Sequence, residues 1–182
     1  MSKFIHYLTI SRMLAGPFIF ILVIFTHYYG LALIVFLAAS ITDYLDGFFA
    51  RKYNYESELG AILDPIADKI LTLFLIITLG LHLESAYFSF MGAMILAREF
   101  WVSALRDLNS RAGNTDATKV SILAKLKTTL QLSSFSGFLL GIYLNNMLIL
   151  FLSNFMLFSA LLLTLYTGLL YTIETFAKSK SF

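Results

Sequence analysis

Cysteine is absent from this chain, proline occurs twice, tryptophan once, and charged residues fill only 13% of its 182 positions. Without cysteine there are no disulfides and no thiolate metal sites, and the redox compartment stays open. The shortage of charge says more, because a soluble domain carries about 25% charged residues. A net charge of +2 also supplies no basic surface for nucleic acid, and no such partner is expected. No repeat, low-complexity tract or shift in composition divides the sequence, so 1–182 reads as a single membrane domain.

What is present is apolar: 59% hydrophobic residues, with 18 Phe and 10 Tyr. The apolar stretches run over 14–28, 30–49, 66–83, 86–105, 128–144 and 147–173, each near the ~20 residues that a spanning helix needs. The expectation is an all-α polytopic membrane protein with six transmembrane helices, which puts both termini on one side. Every cation then falls on that side or within a turn or two of it: Lys3, Arg12, Arg51, Lys52, Lys69, the run from Arg98 to Lys127, Lys178 and Lys180. The opposite turns, around His27–Gly30, His82–Ser85 and Asn145–Asn146, contain none. By the positive-inside rule both termini are cytoplasmic.

Residues 3–12 mix Lys3, His6 and Arg12 with Phe4, Ile5, Tyr7, Leu8 and Ile10, which predicts a short interfacial helix before the first span. Pro17 marks a bend or a helix start. No small-residue cleavage site precedes it, so the first segment is expected to be retained rather than cleaved as a signal peptide. Residues 51–60 and 107–121 read as cytoplasmic loops, and the sixth span as a packing helix. His6, His27 and His82 stand at aromatic-rich helix ends, where interfacial packing is their expected role.

Against this background four aspartates stand out. Asp43 and Asp46 are three residues apart and Asp64 and Asp68 four, so each pair shares one face of a helix. Carboxylates at membrane depth are costly, and several together need a compensating partner. Oxygen donors with no cysteine and no neighbouring histidine suit a hard divalent cation such as Mg2+ or Mn2+. Arg98 closes the fourth span, and Lys125, Lys127, Thr128, Thr129 and Gln131 open the fifth. A basic cluster is therefore expected at the same depth as the acidic one. Thr9 and Arg12 are expected to hold the N-terminal helix against the site, and Arg106, Arg111 and Lys119 to be solvated loop cations.

The spacing Asp43-x2-Asp46-Gly47-x2-Ala50-Arg51-x8-Gly60-x3-Asp64-x3-Asp68 fixes eight residues across two helices. It resembles the signature of the CDP-alcohol phosphatidyltransferase family at each fixed position. Leu8-Thr9-x2-Arg12-x4-Pro17, Leu63-Asp64-Pro65-x-Ala67-Asp68-Lys69, Arg98-Glu99 and Lys125-x-Lys127-Thr128-Thr129-x-Gln131 further resemble its bacterial glycerophosphate-accepting branch, over about 3–131. Ala124 departs from that branch, which usually has glycine there.

The resemblance implies transfer of a phosphatidyl group from CDP-diacylglycerol to sn-glycerol 3-phosphate, with release of CMP. It implies Mg2+ or Mn2+ held by Asp43, Asp46, Asp64 and Asp68, with Asp68 also the candidate base. CDP-diacylglycerol would be bound by Asp43, Asp46, Gly47, Ala50, Arg51 and Gly60, and glycerol 3-phosphate by Arg98, Lys125 and Lys127. A homodimer in the bacterial inner membrane, in contact with membrane lipids and with its site at the cytoplasmic face, is implied as well. Two other readings compete. One is transfer to another alcohol, such as serine, inositol phosphate or phosphatidylglycerol. The other is a small ion or metabolite transporter, which would carry polar groups through the full membrane depth, whereas here the charges stop at one face.

Overall fold

Among the described residues six helices follow one another: α1 (Ser2–Ile24), α2 (Tyr29–Tyr53), α3 (Glu58–His82), α4 (Ala86–Arg111), α5 (Ile122–Tyr143) and α6 (Met147–Ser179). The structure is a computed structural model that describes residues 2–53, 58–111 and 122–179, and the side chains of 7–43, 63–111, 123 and 125–177. Four described segments are long and apolar enough to cross a bilayer: Tyr7–Ile24, Leu63–His82, Ala86–Arg111 and Met147–Ala177. Tyr29–Asp43 is a shorter apolar helical stretch, and α2 continues beyond it. The protein is thus all-helical, with several helices built for lipid. Large apolar side chains such as Ile34, Phe151 and Leu169 accordingly point outward.

Three expectations fail at the helix ends, and one is the loop read at 51–60, whose first residues belong to α2 and last to α3. The interfacial helix expected at 3–12 is no separate element, since α1 runs unbroken from Ser2 through Pro17 to Ile24. Pro17 forgoes one backbone hydrogen bond, but its fixed φ is helical. Thr9 and Arg12 are buried against neighbouring helices instead of lying on a surface, which ties this half of α1 into the bundle. Similarly α4 continues to Arg111, past the apolar stretch that ended at 105 and into the segment read as a loop. Hydropathy marks where lipid ends, and good helix formers such as Leu105, Arg106 and Leu108 carry the helix further.

The helices pack as a closed circuit, α1 on α3, α3 on α4, α4 on α6, α6 on α5, α5 on α2 and α2 back on α1. Inside it lie Ile19, Phe36, Leu75, Leu79, Ile95, Phe135 and Leu139, with Phe36 edge-on to Phe135 and Phe88 edge-on to Phe138. Lipid is as apolar as leucine, so cohesion here comes from close packing rather than from escape from water. The α5–α6 seam shows this best. Gly137 and Gly141 stand four apart on α5; a Cβ at Gly137 would lie 2.2 Å from Ser153 Oγ, and one at Gly141 2.8 Å from Leu150 Cδ2. Ser134 Oγ donates to the Ser153 carbonyl across the same seam, at 2.8 Å.

The α1–α2, α3–α4 and α5–α6 connections share a device. Each contains one left-handed residue: His27, Glu84 and Asn145, at φ 58°, 48° and 49°. At Glu84 and Asn145 the helix ends in paired bonds, Glu84 N–H to Leu81 and Ser85 N–H to Gly80, Asn145 N–H to Ile142 and Asn146 N–H to Gly141. These satisfy the carbonyls that a helix end leaves open. Ser85 Oγ and Asn146 Oδ1 then cap the next helix by accepting from Phe88 N–H and from Leu148 and Ile149 N–H. His27 and His82 pack in an aromatic group at this end: His27 Nδ1 lies 3.2 Å from the Tyr29 hydroxyl, and the Tyr29 ring centroid 5.1 Å from His82. His6 falls outside the described side chains. The aspartates sit at the other end, late in α2 and early in α3.

Candidate active site

Three carboxylates from two helices converge on one guanidinium from a third. Arg12 Nη1 donates to Asp43 Oδ1 and, at 2.8 Å, to Asp68 Oδ1, while Nη2 lies 3.5 Å from Asp64 Oδ1. Thr9 Oγ1, almost one turn earlier on α1, donates to Asp64 Oδ1 at 2.8 Å. The Arg12 side chain is 1% exposed whereas those of Asp43, Asp64 and Asp68 are 44%, 41% and 52% exposed. The carboxylates thus face outward with the cation buried behind them. The sequence-level role for Thr9 and Arg12, holding α1 to the site, is what these contacts do.

Asp46, Gly47, Ala50 and Arg51 lie on the later turns of α2 and Gly60 on the first turn of α3, and their side chains fall outside the described residues. Among the described residues no three acidic or histidine side chains are arranged to hold a metal ion, and Asp46 is not among them. The chemistry of the donor set still fits one. Carboxylate oxygens close enough to share a single guanidinium form a hard, anionic set with no nitrogen or sulfur, which suits Mg2+ or Mn2+.

Two cavities adjoin at this point. The first, about 370 Å³, is lined by Arg12, Ser40, Asp43, Asp68, Thr72, Glu99, Thr128, Thr129 and Gln131 over a floor that includes Phe36 and Leu71. The second, about 260 Å³, is lined by Lys69, Arg98, Ser103, Arg106, Lys125 and Lys127. Asp68, Glu99 and Thr128 line both. An acidic cavity and a basic one therefore share a wall, and Asp68 is part of it.

The three cations expected to bind phosphate all line the basic cavity, in different ways. Lys125 is exposed, whereas Lys127 is buried and gives its ammonium to Glu99 Oε1 at 3.0 Å. Two residues apart on a helix, they take different sides, as their spacing requires. Arg98 Nη2 donates to Thr167 Oγ1 of α6 at 2.7 Å, and its stem lies where a Cβ on Gly168 would come within 2.9 Å. The sixth helix thus positions a site cation besides packing.

Two further cations line the cavity unexpectedly. Arg106, read as a solvated loop residue, is on α4 with its guanidinium 5.7 Å from the Tyr171 ring centroid. Lys69, read as a topology signal and as part of a branch-like stretch but given no phosphate role, donates to Ser103 Oγ at 2.6 Å with its ammonium 5.2 Å from the Phe100 centroid. The signal for Arg106 was available: Arg98, Val102 and Arg106 stand four apart, one face of a helix that runs past residue 105. Arg111 pairs with Asp107 one turn back, exposed, and belongs to neither cavity; Lys119 lies outside the described residues.

Comparison with known proteins agrees with the geometry. The family model of the CDP-alcohol phosphatidyltransferases matches residues 6–166. The chain belongs to this family. Over 128 residues, 69% of the chain and 70% of the relative, it is 37% identical to the CDP-diacylglycerol–glycerol-3-phosphate 3-phosphatidyltransferase of Escherichia coli K12. The proteins of that name from Escherichia coli O157:H7 and Shigella flexneri serotype 5b match over the same length at the same 37% identity. The matched family segment runs from early α1 into α6 and takes in each residue lining both cavities.

Proposed function

We propose that this phosphatidyltransferase moves the phosphatidyl group of CDP-diacylglycerol onto sn-glycerol 3-phosphate, giving phosphatidylglycerophosphate and CMP. The names of the similar enterobacterial enzymes support both substrates. The observation that carries the reading is the shared wall: a basic cavity suited to an acceptor's phosphate opens beside the carboxylate cavity, with Asp68 common to both.

In this reading the phosphate of the acceptor rests among Lys125, Lys127, Lys69, Arg98 and Arg106, and its terminal hydroxyl reaches Asp68. Asp68 takes the hydroxyl proton as the new oxygen–phosphorus bond forms and the bond to CMP breaks. Arg51, one turn and a half past Asp46, is the candidate to fork onto the pyrophosphate. Gly47, Ala50 and Gly60 are the candidate small positions where the nucleotide approaches the helices. Asp43, Asp46 and Asp64, with Asp68, would hold Mg2+ or Mn2+. When bound, a dication offsets the charge gathering on the pyrophosphate oxygens. Arg12 and Thr9 keep the carboxylates aligned from behind.

The finer topology belongs to the same proposal. Six spans, both termini and the site at the cytoplasmic face, and residence in the bacterial inner membrane are supported by the one-sided cations. A homodimer is supported by the family likeness. The test is an acceptor panel: purified protein with CDP-diacylglycerol and Mg2+ or Mn2+ is given glycerol 3-phosphate, serine, inositol phosphate or phosphatidylglycerol, and CMP release is followed. Release with glycerol 3-phosphate far above the others is expected. Release driven best by another alcohol would replace the acceptor and leave the family chemistry intact.

A further inference from the structure

We infer that Glu99 reads the middle hydroxyl of the acceptor, which makes it a specificity residue at the junction of the two cavities. This rests on the placement of glycerol 3-phosphate in the basic cavity. Glu99 is out of place as a phosphate ligand, because a carboxylate repels the dianion that five neighbouring cations attract. It is nonetheless held firmly. Its Oε1 accepts from Lys127 Nζ at 3.0 Å, with the two side chains 18% and 7% exposed. Oε2 has no hydrogen-bond partner among the described residues, although Glu99 lines both cavities.

The acceptor's length brings the two together. Its phosphate belongs with Lys125 and its attacking hydroxyl at Asp68, so its central carbon passes Glu99, which with Asp68 and Thr128 lines both chambers. A hydroxyl on that carbon can donate, and an ionised carboxylate can only accept. The pair is complementary, and Lys127 fixes the rotamer that presents it.

The test compares glycerol 3-phosphate with 3-hydroxypropyl phosphate, the same chain without its middle hydroxyl, by kcat/KM. Wild-type enzyme should prefer glycerol 3-phosphate by roughly tenfold or more, the loss expected for an unmade hydrogen bond to a charged group. Glu99→Met, similar in size but with no oxygen, should bring the two acceptors within about threefold of each other. Glu99→Gln keeps an uncharged acceptor oxygen and should give an intermediate ratio, which serves if the methionine variant does not fold. A residue that only props Lys127 would lower both acceptors alike and leave the ratio unchanged. A wild-type ratio near one, or an unchanged ratio in Glu99→Gln, therefore overturns the inference. Lys125→Ala separates the underlying placement, because it should raise KM for both acceptors with their ratio kept. If it leaves both KM values unmoved, the acceptor is not in the basic cavity and the role of Glu99 falls with it.

Discussion

Replacing Arg12 with methionine keeps most of the side-chain volume but removes the positive charge that, among the described residues, Asp43, Asp64 and Asp68 share. Removing one partner of a buried ion pair costs roughly 3–5 kcal/mol, because the opposite charge is left uncompensated. Here the uncompensated groups are 44%, 41% and 52% exposed, so water takes up part of the loss and about 3 kcal/mol is the better figure. A chain of this size shifts by roughly 2–4 °C per kcal/mol, so the apparent melting temperature in detergent with EDTA should fall by about 6–12 °C. Mg2+ should then stabilise the variant more than the wild type. In the variant a dication meets carboxylates whose charge Arg12 no longer offsets, whereas in the wild type the guanidinium behind them already neutralises part of it. At a concentration a hundred times its Kd, a ligand contributes about 2.7 kcal/mol, close to the whole deficit. Differential scanning fluorimetry of both proteins, with EDTA and with Mg2+, is the assay. If Arg12→Met melts within about 2 °C of wild type in EDTA, the guanidinium is not what holds the carboxylates together.

Asp43→Asn or Asp46→Asn should leave folded protein but lower kcat/KM by more than about 100-fold, since merely disturbing groups around a metal costs about 10–100-fold; CMP release at saturating Mn2+ measures it, and substantial turnover would remove these carboxylates from the ligand set. Gly141→Val should loosen the α5–α6 seam, because a Cβ there already lies 2.8 Å from Leu150 Cδ2 and 3.2 Å from its backbone nitrogen; the expected loss is roughly 1–3 kcal/mol of stability, the usual cost of overpacking, and an unchanged melting temperature would refute it. For the topology, cysteines at Thr26, Ala86 and Met147 should react with an impermeant thiol reagent in intact cells, and one at Ser110 only after the membrane is opened. The absence of native cysteine makes the readout clean. Labelling of Ser110→Cys from outside would invert or break the six-span arrangement.

The helical class, the apolar segments and the carboxylate pairs were legible because they depend on short-range periodicity. Asp64 and Asp68 share a face whatever α3 packs against, and the lack of charge excludes a water-facing surface whatever the helix order. The family signature extends this reach, since its eight positions lie within 26 residues on two consecutive helices. Helix ends were less legible. Composition changes where lipid gives way to water, but α4 continues to Arg111 and α1 begins before its apolar run.

The contacts that complete the site depended on the tertiary circuit. Arg12 reaches Asp43 and Asp68 across 31 and 56 residues, and Arg98 reaches Thr167 across 69, so no local pattern contains those pairs. Which lysine is buried was equally undecided in the sequence. Spacing places Lys125 and Lys127 on different sides of α5, but only the packing of α5 against its neighbours turns Lys127 inward to Glu99. A helix's own period fixes the angles among its side chains, while its rotation about its axis is set by what the adjoining helices can fill, and that rotation decided which cations and carboxylates meet.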